Sequence, residues 1–122
     1  MTRTKSLLVA GLVLASVAIA VSSRAGNVYR TDYLSMNRAT ALPGVVLPPG
    51  TYTFEVVEGH ADLVRVSDRA TRRVLYTGFT DIVRRPDGVT ASLAFGEAPS
   101  GDPLPIKAWF PTGTQRGLEF RH

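Results

Sequence analysis

The sequence predicts an all-β protein: a small antiparallel β-sandwich or barrel of about seven strands that follows an N-terminal signal helix. Three observations favour this class. Beyond residue 25, apolar residues alternate with polar ones at period two, which is the spacing of strands. Turn signals rich in proline and glycine separate these stretches at short intervals. No stretch beyond residue 25 carries an apolar stripe at helical spacing.

The first 25 residues have the pattern of an export signal. Arg3 and Lys5 precede an apolar run over residues 7–21, and small residues follow it. This run has 15 residues, whereas a helix needs about 20 to span a bilayer. The pattern therefore favours a signal peptide that is cleaved after Ala25 or Ala20 over an anchor that is retained. We expect the protein to be periplasmic or secreted.

Residues 26–122 are long enough for one β domain. The chain has no cysteine, which excludes a lipoprotein anchor, thiol catalysis and disulfides. Loss of Arg3, Lys5 and Arg24 with the signal lowers the formal net charge from +4 to about +1. Such a balance predicts no nucleic-acid partner, and membrane contact only through an uncleaved leader. The basic pairs Arg72-Arg73 and Arg84-Arg85 stand beside turns and are interpreted as solvated hairpin ends.

The first predicted strand covers residues 51–56, after the turn Pro48-Pro49-Gly50. Alternation places Tyr52, Phe54 and Val56 on its core face. The other predicted strands are residues 62–66, 74–79, 81–84, 89–95, 106–110 and 117–120, of which the first two form a hairpin. The proline-rich residues 96–105 are predicted to form an ordered loop.

Two separated motifs carry a resemblance to a family. Residues 43–54 read PGVVLPPGTYTF, and residues 107–113 read KAWFPTG before the ending Gly117-Leu118-Glu119-Phe120. The chain thereby resembles a group of small exported bacterial proteins of unknown function with PGxxLPxGTYxF and KAWFxPGxxxGxEF motifs. It departs from that pattern at Thr112-Gly113, where Pro-Gly is usual, and at its last two residues, Arg121-His122. The resemblance implies export and a compact β domain, and it implies no activity.

The binding residues we predict are Trp109 and Lys107. Alternation over residues 106–110 puts Ile106, Ala108 and Phe110 on one face and these two side chains on the other. An exposed tryptophan beside a lysine can stack on a sugar ring or hold a peptide, so an envelope glycan or a protein is the expected partner. The alternative is that Trp109 packs in the core.

Enzyme chemistry has one candidate region, where His60 stands between Glu58 and Asp62. General acid–base catalysis needs positioned partners, and a zinc site needs several ligands at a characteristic spacing. This stretch shows neither pattern. We therefore predict no catalytic residue, no metal site and no cofactor.

The function that the sequence favours is an exported non-enzymatic β domain with a binding or structural role in the cell envelope. The alternative is a small envelope hydrolase or metal-dependent enzyme that uses the His60 region. A third hypothesis is a subunit whose exposed sheet edge pairs with a strand of a partner.

Overall fold

The computed structural model describes residues 18–23 and 30–122. The all-β prediction is confirmed, because the described residues form ten strands and no helix. Among these residues, none belongs to a helix with the length and hydropathy of a membrane span. The strands are β1 (Ala18–Ser23), β2 (Thr31–Met36), β3 (Thr40–Leu42), β4 (Val45–Leu47), β5 (Gly50–Val56), β6 (Leu63–Asp68), β7 (Val74–Arg84), β8 (Leu93–Phe95), β9 (Leu104–Trp109) and β10 (Arg116–Phe120).

Most of the predicted signal helix lies outside the described residues. The exception is β1, six residues near the end of that predicted segment, which is extended and pairs antiparallel with β2. A register shift between Ala20 and Ser22 interrupts the pairing.

The strands form one sheet in the order β1-β2-β5-β6-β7-β10-β9-β3-β4, with β8 also paired to β9. Pairing is antiparallel except between β3 and β9, which are parallel. β7 pairs with β6 along its first half and with β10 along its second half. The structure has more strands than the approximately seven predicted, because β1 lies in the predicted signal helix and β2, β3 and β4 were not predicted. The prediction also divided β7 into two strands, residues 74–79 and 81–84.

The sheet folds over so that distant strands meet across one core. β5 and β9 are separated in the sheet by three strands, yet the rings of Phe54 and Trp109 lie 5.7 Å apart. The fold is therefore sandwich-like. The buried core residues come from eight of the strands and comprise Leu34, Met36, Leu42, Leu47, Tyr52, Phe54, Val64, Val66, Leu93, Ile106, Trp109, Leu118 and Phe120.

The predicted hairpin between residues 62–66 and 74–79 is confirmed as β6–β7. Its turn is organised by Asp68, whose Oδ1 accepts hydrogen bonds from the backbone N–H groups of Ala70 and Thr71, each at 2.9 Å. These bonds, that from Thr71 above all, hold the pKa of Asp68 below its ordinary value, because they favour the charged carboxylate. This hairpin lies at the end of β6 opposite to residues 57–62.

Candidate functional site

The inner face of the sheet opens into a pocket at one end of the core. On β2 the inward positions are Asp32, Leu34 and Met36, all buried, and the same alternation carried backward reaches Arg30. On β10 the inward positions Phe120 and Leu118 lead by the same alternation to Arg116. The core alternation of these strands therefore ends in cationic side chains at the same end of the fold.

The pocket has a volume of about 500 Å³, within the range of about 300–1,000 Å³ that is usual for small-molecule sites. Its lining comes from the β5–β6 connection, the β9–β10 connection and the strand ends beside them. The residues are Arg30, Val56, Val57, Gly59, His60, Ala61, Pro111, Thr114, Arg116 and Leu118. Among the residues that the structure describes, no acidic residue lines it.

Depth separates apolar from polar side chains in this pocket. Pro111 and Leu118 are buried and form an apolar floor together with the half-buried Val56. Arg30 and Arg116 are exposed, as is His60, so they form the rim. The pocket therefore combines an apolar floor with a basic entrance.

Two carboxylates of the outer face are paired with arginines that do not line the pocket. Glu55 is held by Arg65 at 3.0 Å, and Asp81 by Arg121 at 2.7 Å. Within residues 30–122, neither rim arginine forms an ion pair.

Asp32 fixes the wall of the pocket from the core side. It is 2% exposed, and its Oδ2 accepts hydrogen bonds from Trp109 Nε1 at 3.0 Å and from the backbone N–H of Thr112 at 3.1 Å. These bonds tie β2 to the β9–β10 connection, which supplies Pro111 and Thr114 to the lining. Thr114 Oγ1 in turn donates to the carbonyl oxygen of Pro111 or of Arg116, each 3.0 Å away.

Arg85 holds the same connection from the other side. Its guanidinium donates to the carbonyl oxygens of Thr114 at 3.1 Å, Phe110 at 3.2 Å, Val89 at 3.2 Å and Ala91 at 3.0 Å. It also lies over the ring of Phe110, 5.0 Å from the centroid. The interpretation of Arg84-Arg85 as a solvated pair is therefore wrong for Arg85, which is half-buried and structural.

Of the two hypotheses for Trp109, exposure on the sheet is wrong and packing in the core is confirmed, since its exposed fraction is 0%. The reason is a β-bulge: one step along β8, from Ala94 to Phe95, corresponds to two steps along β9, from Ala108 to Ile106. Lys107 is the extra residue, so the alternation of β9 is reset and Trp109 shares the core face with Ile106. The indole offers no face to a ligand. Lys107 is exposed but does not line the pocket.

The structure brings His60 into the pocket without its predicted partners. Glu58 and Asp62 do not line the pocket. The backbone carbonyl of Asp62 instead accepts hydrogen bonds from the N–H and Oγ1 of Thr80, each at 2.8 Å. The His60 ring meets Phe79 edge-on, with centroids 6.2 Å apart. In the described part of the chain, no group of three histidine, cysteine or acidic side chains is placed to hold a metal ion.

The rim arginines were not predicted. Each continues the inward series of a strand beyond its buried residues: Arg30 precedes Asp32 in the series of β2, and Arg116 precedes Leu118 in that of β10. The series on β10 is apolar, so alternation could have indicated Arg116, whereas the carboxylate in the β2 series hides Arg30. No protein-family model, no curated protein and no solved structure matches this chain.

Proposed function

We propose that this chain is an exported, non-enzymatic β domain of the cell envelope that binds a small ligand in the pocket at the open end of its core. The observation that carries the proposal is the pocket itself. It has the volume of a small-molecule site, an apolar floor and a few polar side chains at its entrance. Its walls are held by a hydrogen bond that the carboxylate of Asp32 accepts and by hydrogen bonds that Arg85 donates, which supports a pocket formed before a ligand arrives.

Export is supported by the pattern of residues 1–25. The test is cell fractionation of the full-length chain expressed in a bacterium, with mass spectrometry of the recovered protein. Outside the cytoplasm, we expect to recover a product that lacks its first 20 or 25 residues. The control variant Leu12→Arg interrupts the apolar run and should leave the uncleaved chain in the cytoplasm. Equal recovery of both chains outside the cytoplasm would contradict the signal.

Ligand binding can be followed through Trp109, the sole tryptophan, because its indole is linked through Asp32 to the pocket wall. A panel of envelope peptides, saccharides and amphiphiles is titrated while the emission is recorded. The blocking variant is Ala61→Phe, which adds a ring to an exposed lining position. The matched control is Ala70→Phe, at an exposed position in the β6–β7 turn.

We expect at least one ligand to shift the emission of the natural chain and of the Ala70→Phe variant, and to bind the Ala61→Phe variant more weakly. If no ligand of the panel binds, the proposed binding function is wrong. If a ligand binds the Ala61→Phe variant as tightly as the natural chain, its site lies outside this pocket.

A further inference from the structure

We infer that the ligand is a small free amphiphile with one anionic head group, of which a fatty acid is the simplest example. The head group contacts Arg30 and Arg116 at the rim, and the hydrocarbon body lies on Val56, Pro111 and Leu118. This inference rests on the proposed binding function and names the ligand class of the same pocket.

Charge supports the anionic head. Within residues 30–122, two arginines and no acid line the pocket. Arg84, an exposed residue, is the direct cross-strand partner of Arg116, so a third cation stands beside the rim on the same face. Asp32, the acid at the inward position of β2 next to Arg30, is buried and already accepts two hydrogen bonds. Guanidinium groups present donors in a planar fork that matches carboxylate and phosphate oxygens.

Apolar surface supports the hydrocarbon body. The floor of the pocket is apolar, and it continues outward through Ile82, the cross-strand partner of Leu118. Ile82 is 49% exposed although it lies on the inward face of β7. A large apolar side chain left half in water beside a basic rim is suited to an alkyl chain rather than to a fully polar anion.

The test compares three molecules that share one tail and differ in charge. Octanoate, octanol and octylammonium are titrated at pH 7 and low salt into the exported protein, with binding measured by Trp109 emission and by calorimetry. We expect octanoate to bind most tightly and octylammonium least. One exposed ion pair contributes up to about 1 kcal/mol, which corresponds to about fivefold in affinity.

Arginine variants locate the head group. Arg30→Gln and Arg116→Gln should each weaken octanoate up to about fivefold and leave octanol unchanged. The control is Arg73→Gln, an exposed arginine of the β6–β7 hairpin, which should change neither affinity. Thermal melts verify that each variant folds.

The outcomes separate the ligand class from the pocket function. Equal binding of all three molecules, or octanoate binding that survives the double variant of Arg30 and Arg116, overturns the anionic head. If Ala61→Phe still blocks the molecules in that case, the pocket function stands. If none of the three molecules binds, the ligand is not such an amphiphile. The wider ligand panel then tests whether the pocket binds any ligand. Octanoate that binds but is insensitive to Ala61→Phe overturns both.

Discussion

Removal of the Asp32 carboxylate should destabilise the fold far more than its neutralisation. In the Asp32→Ala variant, the N–H of Trp109 and the backbone N–H of Thr112 lose their acceptor. A buried donor left without a partner costs about 1–3 kcal/mol. The indole bears this cost fully because Trp109 is 0% exposed, whereas Thr112 is exposed and its N–H can turn to water. The unpaired indole together with about 1 kcal/mol for the hydrogen bond that Thr112 loses gives an expected loss of about 2–4 kcal/mol.

The Asp32→Asn variant provides the matched comparison. Both hydrogen bonds are accepted by one oxygen, Oδ2, so an amide oxygen placed there can accept both. Only the charge is lost, and hydrogen bonds to charged acceptors exceed neutral ones by about 1 kcal/mol. We therefore expect Asp32→Asn to cost about 1 kcal/mol or less once relief from burying the charge is included.

The assay is urea unfolding and a thermal melt, both followed by Trp109 emission. For a domain of this size, about 1 kcal/mol corresponds to about 4–8 °C in Tm, so Asp32→Ala should melt about 8–32 °C lower. Ala in place of the exposed Asp102 is the control and should change Tm little. The reasoning is refuted if Asp32→Ala costs less than about 1 kcal/mol, or if Asp32→Asn costs as much as Asp32→Ala.

Three further predictions concern stability. Arg85→Lys removes the guanidinium that donates to four carbonyl oxygens and should lower the free energy of unfolding in urea by about 2 kcal/mol. Arg84→Lys, at the exposed neighbour, should change it by no more than about 0.5 kcal/mol. Equal costs would contradict the structural role of Arg85. Gly117→Ala places a methyl group into the Phe110 ring and should lower the urea stability by about 1–3 kcal/mol, so an unchanged midpoint would exclude that contact. The folded-state pKa of Asp68 is depressed, so its contribution to stability is present above the unfolded pKa of about 3.9 and is lost as pH falls through the folded pKa. In the Asp68→Asn variant, Tm should therefore fall less steeply with decreasing pH than in the natural chain. Parallel profiles of Tm against pH for the two proteins would refute this.

Sequence alternation predicted the strands whose two faces differ clearly in polarity. β5, β6 and β10 were placed within two residues of their bounds, because one face of each is apolar and the other is wet. β2 was not predicted, since its inward series begins with a carboxylate, Asp32, at a core position. The indole N–H of Trp109 and the backbone N–H of Thr112, both distant in sequence, make that carboxylate acceptable there, and a local pattern cannot show such partners.

The wrong prediction for Trp109 has a local cause. Period two holds only while every residue of a strand is paired, and a bulge adds one residue that shifts all later side chains to the other face. The bulge at Lys107 depends on how β8 pairs with β9, which residues 106–110 alone do not reveal. A tryptophan assigned to the surface by counting therefore became the largest fully buried side chain of the core.

Burial of Trp109 and the basic pocket follow from the same arrangement. The indole reaches Asp32 across the folded sheet, and Asp32 holds the β9–β10 connection against β2 through Thr112. That connection covers the core beneath Pro111 but leaves the strand ends beyond it open, where inward positions face water and carry arginines. An apolar residue at those ends would extend the core into solvent, whereas an arginine lets its stem cover the apolar floor while its charged head stays hydrated. Structure alone thus explains one arginine at each strand end. It does not explain why no acid of the described chain lines the pocket beside them, and a bound anion would supply that countercharge.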